Sequence, residues 1–147
     1  MIPGPAGGAR PTLDLTVLPD ALAVCRLPGG AAAPHWLDGE AFASVTRMPE
    51  ETSIVCRAEV VPRGVRVETG WCALRVAGPL DFALTGVLLS LLAPLAAAGI
   101  SVFALSTFDT DVVLVREVAL EEAIVALAGA GHRIARSTAV GGARGEG

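Results

Sequence analysis

Hydrophobic and polar positions alternate strictly over 12–18, where Leu13, Leu15 and Val17 are interleaved with Asp14 and Thr16. That period-two pattern predicts a half-buried strand. Pro19-Asp20 then marks a turn into a second strand over 21–27, which Pro28-Gly29-Gly30 ends. The stretch 31–43 is mixed, with a short helix expected around 37–42. Strands follow at 42–46 and 53–58, separated by the turn-rich Arg47–Thr52, then at 64–69 after Pro62 and at 71–77.

At Gly78-Pro79 the period lengthens. Leu84, Val87, Leu88, Leu91 and Leu95 recur at helical spacing, with Leu89 and Leu92 widening the apolar face, so a helix is predicted over 81–98. Asp81 is its candidate N-cap, Pro94 its expected kink and Gly99 its C′ residue. The uncharged run 100–106 reads as a strand buried on both faces and therefore central. A polar turn over 107–111 leads to a strand at 112–116, then a helix at 119–130 with Glu121 and Glu122 in its first turn and Gly131 ending it, and a last strand at 132–135.

The second half thus reads βαββαβ, the ferredoxin-like arrangement. The first half carries a weaker copy of its hairpin. Aligning Thr46 with Ser106 sets Ser53-Ile54-Val55 against Val113-Leu114-Val115 and Glu51 against Asp111. Two copies of a unit of roughly 65 residues are expected, each too small to bury enough surface comfortably alone.

Composition changes this picture at few points. The chain is 147 residues long, 52% hydrophobic, with a net charge of −4. No residue from Phe82 to Phe108 is charged, a span long enough to cross a bilayer. Pro94 and Gly99 interrupt it, Ser101, Ser106 and Thr107 add polarity, and no arginine cluster flanks it, so no membrane association is expected. All 11 basic residues are arginine and they form no stripe, which removes lysine Schiff-base chemistry and leaves nucleic-acid binding without support. Cys25, Cys56 and Cys72 sit singly in apolar runs and are expected to be free, buried thiols in a cytoplasmic protein. The opening MIPGPAGGARP has no signal-peptide pattern. His35 and His132 have no acidic partner in view, so neither catalysis, metal binding nor a cofactor is expected. What remains is a concentration of small polar groups over Ser101–Asp111, the chemistry of binding rather than of reaction.

The sequence AGISVFALSTFDTDVVLV, preceded by GPLDFALTGVLLSLLAPLA, resembles the ACT domain, a small regulatory βαββαβ module that binds amino acids. It looks most like small bacterial double-ACT proteins and the related eukaryotic cytosolic arginine sensors. The likeness spans about residues 70–135 and is weaker over 12–69. It implies an α+β fold of two ferredoxin-like, ACT-type units with antiparallel sheets and helices on one face, at 12–69 and 70–136, between tails at 1–11 and 137–147. It also implies a non-catalytic regulatory protein, a homodimer, that holds a free amino acid between ACT units. The matching positions are Ser101 and Val102 at a strand start, and Thr107, Phe108 and Asp111 on a hairpin. Asp81 stands at the helix N-terminus beside them. The other reading is a structural or protein-interaction module that assembles through its sheet edges.

Overall fold

The computed structural model describes residues 11–81 and 85–137. Its elements run β1 (Asp14–Val17), β2 (Leu22–Pro28), β3 (Ala43–Arg47), β4 (Glu51–Arg57), β5 (Arg66–Val76), α1 (Val87–Ala97), β6 (Phe103–Ser106), β7 (Asp111–Arg116), α2 (Leu120–Gly129) and β8 (Arg133–Arg136). The expected tails, apart from Pro11 and Ser137, lie outside the described residues. Two compact units emerge: Asp20–Cys72, and the residues up to Pro19 joined with those from Ala73 onward.

In the first unit the strand order is β3-β4-β2-β5, all antiparallel. That is the ferredoxin-like order, but no α-helix forms at either crossover. Three-residue 3-10 turns, His35–Leu37 and Ala58–Val60, stand there instead. The expected second copy with helices on one face is therefore corrected, and so is the helix at 37–42. Pro34 and Gly39 (φ 81°) bracket the first turn, and Pro62 with Gly64 (φ 90°) follow the second, so neither segment has length for a helical nucleus. The core is correspondingly small: Ala23, Cys25, Leu37, Ile54 and Cys56, with Trp36, Val60, Val61 and Val65 packed on it. β5 is one strand rather than the two expected. Gly70 at φ 83° lets an extra residue bulge out where the pairing with β2 shifts, and the strand continues to Val76.

In the second unit the order is β6-β7-β5-β1-β8. This is the ferredoxin-like order with one strand added. β1, grouped with the N-terminal half in the sequence reading, lies antiparallel to the end of β5 and parallel to β8. Leu13, Leu15 and Val17 thereby join Leu74, Val76, Val113 and Val115 under Leu91 and Leu95 of α1 and Ala123 and Leu127 of α2. Burying each of the large aliphatic side chains contributes about 1.5–3 kcal/mol.

Both helices end as their sequences predict. Gly99 (φ 76°) donates to Ala96 O at 2.9 Å and Ile100 N to Leu95 O at 2.9 Å. Gly131 (φ 101°) donates to Ala128 O at 3.0 Å and His132 N to Leu127 O at 3.1 Å. Two Schellman motifs result, each requiring glycine at C′. The start of α1 differs. Its N-cap is Gly86 (φ 82°), with no side-chain hydrogen bond, so Asp81 is not the cap. Leu84 lies outside the described residues, and Leu89, expected on the buried face, is 54% exposed.

Pro94 sits inside α1. A proline has no N–H, so the carbonyl four residues back, that of Ser90, loses its helical donor. His132 supplies one, its Nε2 lying 2.9 Å from Ser90 O.

β6 is also a correction. It begins at Phe103 and, among the described residues, pairs only with β7, so it is an edge and not the central strand. Absence of charge there reflects small residues, Ala104 and Ser106, that tolerate solvent; β7, with Val112–Val115 all buried, is the interior strand. The hairpin alignment shifts by one residue as well. Met48 N donates to Glu51 O at 2.9 Å and Thr107 N to Thr110 O at 2.8 Å, each across a four-residue tip. Glu51 thus corresponds to Thr110, and Asp111 corresponds to Thr52, which is fully buried. In a pleated strand a slip of one residue exchanges the two faces.

Candidate functional site

The β6–β7 hairpin tip and the loop after β5 are laced together. Thr110 Oγ1 donates to Val76 O at 2.6 Å, and Leu80 N donates to Asp109 O at 2.7 Å. A Cβ on Gly78 would stand 2.9 Å from Asp109 O and 3.3 Å from the Thr110 Cβ, so only glycine allows this approach. Within the tip, Thr107 Oγ1 accepts from Thr110 N at 3.1 Å, closing a side-chain turn. Ser106 Oγ donates to Asp111 Oδ1 at 2.6 Å across the first pair of the ladder, which fixes that carboxylate.

Between these segments and the start of α1 lies a cleft of about 220 Å³. That volume exceeds what one ordered water fills and suits a small metabolite. Its walls are Leu80, Asp81 and Val87 on one side and the run Ser106–Asp111 on the other. Three aspartates, Asp81, Asp109 and Asp111, are among its lining residues, with no basic residue beside them. Val87 is the first residue of α1, whose opening N–H groups carry no side-chain cap. The cleft therefore offers acceptors for a cationic group beside a positive helix end suited to an anionic one. Phe108, 81% exposed, is an apolar wall at its mouth.

Four of the six residues singled out from sequence, Asp81, Thr107, Phe108 and Asp111, meet in this cleft. Ser101 and Val102 do not. Ser101 is exposed just after α1, and Val102 is half-buried against the helical core. They lie at the far end of α1, and its 11 residues separate the two ends by about 16 Å. One free amino acid does not span that distance. Five further lining residues, Leu80, Val87, Ser106, Asp109 and Thr110, were not singled out as ligand positions. The repeated threonine of Thr107-Phe-Asp-Thr110, a side-chain turn signature, was the available signal.

Elsewhere the titratable groups are in structural settings. Arg57 donates from Nε to Glu40 Oε1 at 2.9 Å and from a terminal nitrogen to Oε2 at 3.0 Å, and this pairing holds the Glu40 carboxyl below its usual range. Burial pushes the Cys56 thiol up to about 12, with the Cys25 thiol beside it adding to the effect, and Cys25 is also raised by burial. All three cysteines are free. No helix among the described residues is long and apolar enough to cross a membrane.

Residues 66–129 match the ACT domain family. Over most of that range the second unit is similar to an ACT domain. Residues 20–64 match a separate model described as an N-terminal domain, and that range falls within the first compact unit. Protein Atu0741 from Agobacterium tumefaciens is 41% identical, over 86% of this chain and 95% of its own, with a TM-score of 0.81; the two chains belong to one family. VC0802 from Vibrio cholerae is 18% identical, over 81% of this chain and 90% of its own, with a TM-score of 0.67. The regulatory subunit of aspartate kinase from Thermus thermophilus is 12% identical, over 76% and 93%, with a TM-score of 0.54. The last two likenesses show a shared fold. No curated protein shows a significant match to the chain.

Proposed function

We propose that this chain is a non-catalytic regulatory protein that binds a free amino acid at the carboxylate-lined cleft of its ACT domain. The observation that carries this reading is the cleft itself, which joins the uncapped start of α1 to Asp81, Asp109 and Asp111. An amino acid needs both a donor set for its carboxylate and an acceptor set for its ammonium, and this cleft presents them within one small volume. The regulatory role fits the aspartate kinase subunits whose fold it shares. Because Ser101 and Val102 lie about 16 Å away along α1, their contribution to the ligand requires a neighbouring ACT unit, which favours a homodimer. The N-terminal unit, with the same strand order and 3-10 turns in place of helices, is read as a reduced second ACT-type unit, as in the double-ACT proteins. A non-catalytic role is supported by the engagement of both nitrogens of His132 and by the raised thiols of Cys25 and Cys56. Free buried thiols suit the cytoplasm.

A thermal-shift screen of the twenty amino acids tests the reading. A ligand at 100 times its Kd stabilises by about 2.7 kcal/mol, which is about 5–11 °C for a chain of this size. If no amino acid moves the midpoint at saturating concentration, the proposal fails. Asp111→Ala should remove the ligand response with little change in the unliganded midpoint.

The second reading, a module assembling through sheet edges without ligand, is favoured by β6, which pairs only with β7 and runs into the exposed Phe108. Light scattering on the eluting protein separates the two: a strict monomer counts against edge assembly.

A further inference from the structure

His132 is 4% exposed and bonded on both sides of its ring. Leu13 N donates to Nδ1 at 3.0 Å, and Nε2 lies 2.9 Å from the carbonyl oxygen of Ser90. A backbone N–H only donates and a carbonyl only accepts, so the ring is held as the neutral tautomer with its proton on Nε2. Neither contact is incidental. Residue 94 is proline, which leaves Ser90 O without its helical donor, and Leu13 stands just before β1, the strand added to the sheet.

We propose that His132 is a proton-sensitive clamp that positions the first turn of α1 and, through it, the cleft at that helix end. Ser90 belongs to that turn: its N–H closes on Gly86 O at 2.9 Å, its hydroxyl on Val87 O at 2.7 Å, and Val87 lines the cleft. Imidazole is the side chain whose charge ordinarily changes between about pH 5 and about pH 8. A proton on Nδ1 occupies the lone pair that Leu13 uses, so two N–H groups face one another and β1 lets go of the ring.

Against that charge only the C-terminal dipole of α2 is favourable; the carboxylates of the flanking elements stand elsewhere. α1 carries no ionisable residue. The charged residues of α2, Glu121 and Glu122, stand in its first turn, whereas His132 follows its C-terminal end, and Glu121 is engaged by Arg136. From β1 and β8, Asp14 and Arg133 pair with each other on the exposed face at 2.5 Å. The consequence for ligand binding rests on the amino-acid reading of the cleft; the clamp itself does not.

The test is nitrogen-resolved NMR on the ligand-free full chain between about pH 8 and about pH 5. At the upper end the His132 ring should show the Nε2-protonated tautomer. On acidification, exchange protection at Leu13 should fall about tenfold or more, and the amides of Val87–Ser90 should shift together with the ring. H132Q keeps one acceptor and one donor without a titrating group, so in it the responses at Leu13 and Val87–Ser90 should vanish. Should H132Q not fold, the wild-type covariation alone decides. The proposal is overturned by an Nδ1-protonated ring, by a ring that titrates while Leu13 and Val87–Ser90 stay unchanged, or by an H132Q chain with the wild-type pH response. The amino acid giving the largest thermal stabilisation should bind about tenfold more weakly at the acid end in wild type only. If no amino acid binds at any pH, the cleft assignment fails while the NMR outcome still judges the clamp.

Discussion

The link between Pro94 and His132 can be measured as a coupling energy. In His132→Ala the carbonyl of Ser90 and the amide of Leu13 both lose their partners in the interior. Each buried group left unsatisfied costs about 1–3 kcal/mol, so the variant should lose roughly 2–6 kcal/mol before any loss of imidazole packing. Pro94→Ala returns an N–H to α1 at the position that faces Ser90 O. In that background the second change orphans one group instead of two. The same His132→Ala substitution should therefore cost about 1–3 kcal/mol less, whatever the sign of Pro94→Ala alone. Urea unfolding of the wild type, both single variants and the double variant closes the cycle. For a chain of this size, each kcal/mol should also move the thermal midpoint by about 2–4 °C. Additivity within about 0.5 kcal/mol would refute the argument that His132 takes the place of the missing proline donor.

Three further outcomes follow from the packing and the electrostatics. Leu91, fully buried between the helices and the sheet, should cost about 2–5 kcal/mol as Leu91→Ala, read by the urea midpoint with an unchanged slope. The Glu40 carboxyl, held below its ordinary range by Arg57, contributes stability that is complete above the unfolded value near pH ~4.3 and is lost as pH falls through the lowered folded value. Glu40→Gln should accordingly flatten the acid limb of a stability–pH curve below about pH 4 and leave its slope near neutrality unchanged. Cys25 and Cys56, buried and with raised thiols, should resist a thiol-disulfide reagent in the native chain, the half-buried Cys72 reacting first and all three only after unfolding; rapid native reaction of three thiols would contradict their placement.

What the sequence by itself determined was local. Helix ends are decided within one turn of backbone, and Gly99 and Gly131 form the C′ positions their spacing predicts. The alternation of Leu13, Leu15 and Val17 marks a strand with one buried face, because each inward side chain is set by the pleat alone. The polar run that carries the candidate cleft was legible for the same reason: a hairpin tip is built from its own residues, and Thr107, Phe108 and Asp111 come together through bonds spanning a few positions.

Tertiary structure decided whatever depends on a partner distant along the chain. The partners of β1 lie about 60 and 120 residues away, at Leu74–Val76 and Arg133–Arg136, and no alternation pattern names them. Whether the uncharged segment leading to Ser106 is central or an edge depends on what pairs with it, not on its composition. The one-residue shift between the two hairpins came from four-residue tips, of which the second alone carries a side-chain turn signature. The separation of Ser101 and Val102 from Asp111 follows from the 11 residues of α1 that lie between the two ends. His132 shows the difference most directly. In sequence it is a lone histidine after a glycine; in the fold, a proline 38 residues earlier and a strand at the other end of the chain give both of its nitrogens a partner.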